Sequence, residues 1–218
     1  MNISLRRRHN GGFTLIELLV VMAIIAILAS VILVGGSQAI NAAKRAKASY
    51  AATQIQTAIM NYYTEYGVYP VASGTTTDVA LTTSAAETDL MNALCGNLNA
   101  STTTAVTPAT VSNTRNVAYL TPKRNEVDTN GVLITPFSSG TTYYYYSIAM
   151  DGDYSGVLGN SGGVAAQMPD FTASWTSTGI KYVTGGITQG VAVWACCDTS
   201  NLNTPGSSTA PQFWVHTY

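Results

Sequence analysis

The sequence predicts an α+β fold: a long N-terminal α-helix, membrane-spanning then amphipathic, packed on a C-terminal antiparallel β-sheet domain. Three observations predict it. An unbroken apolar run over residues 13–34 follows a basic leader. Residues 37–66 repeat apolar side chains at helical spacing. From Val117 onward, short β-branched and aromatic runs alternate with Gly, Pro, Asn and Asp. These divide the 218 residues into a leader (1–12), a spanning helix (13–34), its amphipathic continuation (35–66) and a globular domain (67–218).

The leader, MNISLRRRHNGG, places Arg6, Arg7 and Arg8 beside the apolar run. Such asymmetry keeps this end cytoplasmic and puts the chain beyond the span outside the inner membrane. Within residues 13–34 only Thr14, Glu17 and Ser30 are polar. At helical rise the run reaches about 33 Å, enough for a hydrocarbon core of ~30 Å. A secretory signal has a shorter apolar stretch followed by its cleavage site. Here the small-residue pair Gly11-Gly12 precedes the run, so a cut there discards the leader and keeps the helix.

Glu17 is the unusual residue. An acid inside a spanning helix costs roughly 2.5–3.5 kcal/mol, so it calls for a positive partner. A cut after Gly12 creates one, the amine of Phe13, one turn from Glu17. Between chains, the amine of one helix and Glu17 of the next would set axial register in a bundle.

Gly12-Phe13-Thr14-Leu15-Ile16-Glu17 after a basic leader resembles the processing motif of type IV prepilins and type II secretion pseudopilins. The resemblance implies that a prepilin peptidase cuts after Gly12 and N-methylates Phe13, and that assembly needs Glu17. It implies further partners: other copies of the chain, minor pseudopilins and an inner-membrane assembly platform. It places a single-pass protein in the bacterial inner membrane with its C-terminal domain in the periplasm, later assembled into a filament. A plain signal anchor with a chance acid is the competing reading.

Beyond Gly35-Gly36, a weak point for a helix, Ala48, Ala52, Ile55, Ile59, Tyr62 and Tyr66 recur at spacings of three and four. Lys47, Gln54, Asn61 and Thr64 share the other side. Gly67 is placed as C-terminal cap and Pro70 as a stop. The segment NYYTEYGVYP is similar to the tyrosine-rich turn that ends pseudopilin helices, and it reads independently as aromatic packing of a helix end.

Residues 71–116 are rich in Thr, Ser and Ala, with one short helix expected over 84–98 and a loop over 99–114. Expected strands are NVAYL, GVLIT, TTYYYYSIAM, IKYVT, GVAVWACC and QFWVHTY. Alternate tyrosines of 143–146 point to opposite sheet faces. The order of these pieces resembles the C-terminal layout of major pseudopilins.

MDGDYSGVL carries the one sharp chemical pattern. Asp151, Asp153 and Ser155 take the first, third and fifth places of a calcium loop, with Gly156 sixth and Val157 seventh. The twelfth place is Gly162 rather than glutamate, leaving Asp170 or Asp128 to substitute. Some major pseudopilins hold calcium in a C-terminal loop, and a polar β-turn is the alternative. Calcium is thus the candidate cofactor.

Cys95, Cys196 and Cys197 are the disulfide candidates. One of the adjacent pair reaching Cys95 would contribute roughly 3–5 kcal/mol; a vicinal disulfide, a metal site or a redox role are alternatives. After leader removal His216 is the remaining histidine, and no phosphate loop or G-x-S-x-G occurs, so no enzyme is expected. The trimmed chain has 7 basic against 11 acidic side chains, net −4, which argues against nucleic-acid binding. The reading is a structural subunit of a type II secretion pseudopilus. A type IV pilus pilin is the alternative within the class, and a monomeric membrane-anchored binding domain the alternative outside it.

Overall fold

A computed structural model describes residues 12–106, 110–111, 113–138, 140, 142–169, 183–196 and 214–218. The chain divides into two compact units, residues 1–43 and 44–218. Helix α1 (Leu15–Tyr66) begins in the first and ends in the second, and it runs through Gly35 and Gly36 without a break. No neighbouring atom approaches the place of a Cβ at Gly36, so packing does not demand glycine there.

In the first unit, Leu15–Ile32 is long and apolar enough to cross a membrane, and none of it is buried. A helix that is apolar on every side is built for lipid or for other helices. In the second unit the same helix changes character. Ala48, Ala52, Ile55, Ala58, Ile59 and Tyr62 are buried along one stripe, as side chains three and four apart must be when one face meets a core. Gln56 reinforces the contact by donating from Nε2 to the Val191 carbonyl at 3.0 Å. The helix stops where Gly67 takes a left-handed φ of 71° and its N–H closes on the Tyr63 carbonyl at 2.8 Å.

The main sheet holds β1 (Val79–Leu81), β4 (Ser147–Met150), β5 (Val191–Cys196) and β6 (Trp214–His216), in that spatial order and all antiparallel. The period of two divides its side chains between two cores. Ile148, Met150, Val191, Val193 and Ala195 join the core that also contains the buried stripe of α1 and Leu90 and Leu94 of α2 (Ser84–Leu94). Ala149, Ala192 and Trp194 face a second core with Leu158, Val164 and Met168. The sheet face turned away from α1 is therefore covered by the chain's own 158–168 segment.

Several expected elements differ. Helix α2 ends at Leu94 rather than reaching residue 98, because Gly96 (φ 77°) and Asn97 (φ 59°) turn the chain. A Cβ at Gly96 would press on the Asn116 carbonyl at 3.0 Å. Leu98 then starts β2 (Leu98–Asn99), which pairs with β3 (Thr104–Ala105). NVAYL and GVLIT form only isolated bridges, Cys95 with Ala118, Val127 with Leu133 and Ile134 with Tyr145. Their apolar residues Leu120, Val132 and Leu133 are buried all the same: strand propensity measures fit to a half-buried surface, and an irregular chain can supply that burial. In the tyrosine run, regular pairing begins only at Ser147. Residues 180–182 of IKYVT lie outside the described residues.

One buried group opposes the fold. Glu87, in the first turn of α2, is wholly buried, and neither carboxylate oxygen has a hydrogen-bond partner. Burial, and then the charge of Asp128, push its pKa well above the usual 4.5. Above about that pH the unfolded chain ionises while the folded chain must keep the proton or bury a charge, so stability falls as pH rises. Glu87→Gln is expected to raise stability at pH ~7.5 by about 1–3 kcal/mol, read as a higher melting midpoint. The gain should shrink toward pH ~3, below the unfolded value, where both states carry the proton. Melts at the two pH values check it, and an equal gain at both would contradict the assignment.

Candidate functional site

The N-terminal motif folds as a reciprocal cap on α1. Thr14 donates from its N–H and from Oγ1 to Glu17 Oε2, both at 2.8 Å, and the Glu17 N–H donates back to Thr14 Oγ1 at 3.3 Å. Thr14 is thus the cap and Glu17 the third residue of the helix, the T-x-x-E capping box. The four letters TLIE already spell that box, and it is a partner for Glu17 that the expectation of a positive charge did not include. The carboxylate therefore has hydrogen bonds from its own chain, which lessens the cost of an acid in an apolar helix. Phe13 is 80% exposed. Gly12 is exposed too, with open space where a Cβ would stand.

The second constellation is acidic. Asp78 precedes β1 and Asp151 follows β4, and the pairing of Val79 with Met150 carries these two acids to the same end of the ladder. Asp153 comes two residues later. One carboxylate oxygen from each of the three lies within 4.8 Å of the others. Glycines allow the close approach: a side chain at Gly152 would strike the Thr77 carbonyl, and one at Gly162 the Asp78 carbonyl.

Backbone amides hold the acids in place. Asp151 accepts from the N–H of Ser155 at 3.1 Å and of Gly156 at 2.9 Å. Asp153 accepts from the Ser155 N–H at 3.0 Å. Asp78 Oδ2 accepts from the N–H of Gly159 at 2.6 Å and of Ser161 at 3.4 Å. Asp78 Oδ1 is buried and has no hydrogen-bond partner. Burial raises the pKa of Asp151, against the lowering effect of the Gly156 N–H. The Ser161 hydroxyl, then that of Ser155, draws Asp153 down to about 2. Three crowded carboxyls with an unserved oxygen suit either a retained proton or a hard, oxygen-seeking cation.

Ser155 serves this group through its N–H and, at Asp153, through its hydroxyl, which also meets the Val157 carbonyl at 3.3 Å and accepts from Asn160 at 2.9 Å. Asp128 does not complete the set. It accepts instead from Ser84 Oγ at 3.0 Å, the Tyr145 hydroxyl at 3.1 Å and the N–H groups of Asn130 and Val132. Asp170 lies outside the described residues. The third acid is Asp78, whose proximity comes from strand register and has no signature in local spacing.

Tyr154, inside the acidic loop, ties it to the end of α1. Its ring stacks on Tyr69 at 5.6 Å, and Tyr69 stacks on Tyr63 of α1 at 4.6 Å. Its hydroxyl accepts from the Tyr69 N–H at 3.1 Å.

Of the three disulfide candidates, Cys95 and Cys196 lie within the described residues. Cys95 caps the C-terminus of α2 as a free buried thiol whose pKa burial pushes up to about 11, a value that leaves it unreactive near neutrality. Its backbone bridges to Ala118, whereas Cys196 ends β5 opposite Trp214. Cys197 lies outside the described residues. His216 Nδ1 meets the Tyr218 carbonyl.

Residues 7–33 match the family model described as the prokaryotic N-terminal methylation motif, consistent with a type IV prepilin-like protein. No curated protein and no solved structure matches the chain.

The glycines separate structural from other roles. Gly152→Ala is expected to lower stability by about 1–3 kcal/mol, because the new methyl must displace backbone. Gly12→Ala is expected to leave it unchanged, since among the described residues no atom comes within 4 Å of where its Cβ would stand. Thermal melts of the two variants check the contrast.

Proposed function

We propose that this chain is the precursor of a structural subunit of a type II secretion pseudopilus, cut between Gly12 and Phe13 and methylated on Phe13. The methylation motif points to a structural, pilin-like protein anchored in a membrane by one helix. The observation that carries the reading is the junction of that motif with a span that is apolar on every side and unburied. Lipid satisfies such a surface first, and the same surface on other copies satisfies it in a filament. Gly12 adds support, because the fold itself makes no use of a glycine there.

In this mechanism the basic leader keeps the N-terminus cytoplasmic and the domain from residue 44 onward enters the periplasm. The peptidase removes the leader and creates a cationic amine beside Glu17. The assembly platform then draws subunits from the membrane, and the pairing of Glu17 with the amine of a neighbour sets their register. The tyrosine-rich end of α1 and the acidic loop favour the secretion type over a type IV pilus pilin.

Calcium is the proposed structural cofactor of the acidic loop, with Asp78, Asp151 and Asp153 as side-chain ligands. The unserved, buried Asp78 Oδ1 supports a cation here. The raised pKa of Asp151 means that protons compete with it, so calcium should stabilise less as pH falls.

Mass spectrometry of the protein from a host with a prepilin peptidase is expected to give a chain beginning with N-methylated Phe13; a chain still starting at Met1 would overturn the reading. Glu17→Ala is expected to keep membrane insertion and to abolish filament formation, scored by flotation and electron microscopy. Chelating calcium is expected to lower the melting midpoint by about 5 °C or more, and to have no such effect on Asp78→Asn. An unchanged midpoint in the unaltered protein would remove calcium from the proposal.

A further inference from the structure

Seven basic side chains remain after the leader, and five fall in two short stretches: Lys44, Arg45 and Lys47 on α1, and Lys123 and Arg124. The fold of the second unit brings these stretches together. Lys47 Nζ lies 2.9 Å from Glu126 Oε1. The Glu126 N–H donates to the Lys123 carbonyl at 2.8 Å, and the Lys123 N–H donates back to Glu126 Oε2 at 3.2 Å. Lys47, Lys123 and Glu126 line one cleft between α1 and the 119–136 segment. Lys44 Nζ sits 5.7 Å over the Phe137 ring. Lys47, Lys123 and Arg124 are exposed, and Lys44 is half-buried.

Acids are scarce along the same stretches: residues 35–64 contain no Asp or Glu, nor do 115–125. Glu126 offsets one charge of the four at Lys44, Lys47, Lys123 and Arg124 and leaves the face positive, on a trimmed chain whose net charge is −4. Lys44 comes ten residues after Val34 in the sequence. Basic residues just beyond a membrane span are drawn to anionic headgroups, while the acidic remainder of the domain is repelled by them.

We propose that Lys44, Lys47, Lys123 and Arg124 form a docking face for an anionic lipid surface, holding the globular unit against the bilayer before assembly. This rests on residues 13–34 being the span. The partner is the phosphate-bearing headgroup layer, and its release accompanies extraction of the helix.

The test uses the trimmed full-length chain in vesicles of phosphatidylcholine, alone or mixed with phosphatidylglycerol, with lysine acetylation read residue by residue. Labelling of Lys44, Lys47 and Lys123 is expected to fall about fivefold in the anionic vesicles, the factor that one basic residue contributes near such a surface. Salt at ~1 M, with a Debye length of ~3 Å, should restore it. Lys123→Glu with Arg124→Glu should restore labelling of Lys44 and Lys47 at low salt, with an unchanged melting midpoint. Equal labelling in both lipids overturns the proposal. Protection that tracks protein density at fixed lipid composition also overturns it and assigns the face to a second copy. Failure of the chain to float with vesicles overturns the span, and the docking face with it.

Discussion

The apolar surface of Leu15–Ile32 is the constraint on which everything else depends. Eighteen residues with no buried side chain cannot remain in water, so the chain must offer this surface to lipid or to copies of itself. A filament core offers both the area and the shape that such a helix needs, and a lipid bilayer offers a place to wait. In the function proposed above, the rest of the protein serves to move one helix between these two apolar settings. Glu17 fits that arrangement because its carboxylate already has partners in Thr14.

The second unit solves a different problem with the same helix. Alanine at 48, 52 and 58 and isoleucine at 55 and 59 make one side of α1 flat enough to lie against a sheet. Strands β4 and β5 are buried on both faces, so the sheet is an interior layer. The low content of charged residues, 10% of the chain, reflects in part that double coverage. Four acids are nonetheless buried among the described residues, Asp78, Glu87, Asp128 and Asp151, and Glu87 is kept inside without a hydrogen-bond partner for either oxygen.

Local pattern makes the helix legible, and distant pairing makes the site illegible. The buried stripe of α1, its end at Gly67 and the strands β4, β5 and β6 all arise from periodicity and turn residues within a short window. Three features do not. Strand β1 is three residues in a Thr-rich stretch, too short for a pattern of its own. NVAYL and GVLIT have strand composition, yet their burial comes from α1 and α2 rather than from a ladder. Asp78 stands 73 residues from Asp151, and only the β1–β4 register brings them together. The loop pattern at Asp151 and Asp153 is visible in the sequence and one acid short, but spacing cannot say which acid completes it.

That register has a further meaning. An edge strand of three residues is held by few ladder bonds, and short edges slip easily. A shift of one residue would turn Val79 and Leu81 to the other face and carry Asp78 away from Asp151. The acidic cluster thus behaves as a gauge of alignment, because its three carboxyls converge only when the edge is seated in one position. Seating of the sheet's edge and convergence of the three carboxyls are then a single event, beside the stack of Tyr154, Tyr69 and Tyr63 at the end of the long helix.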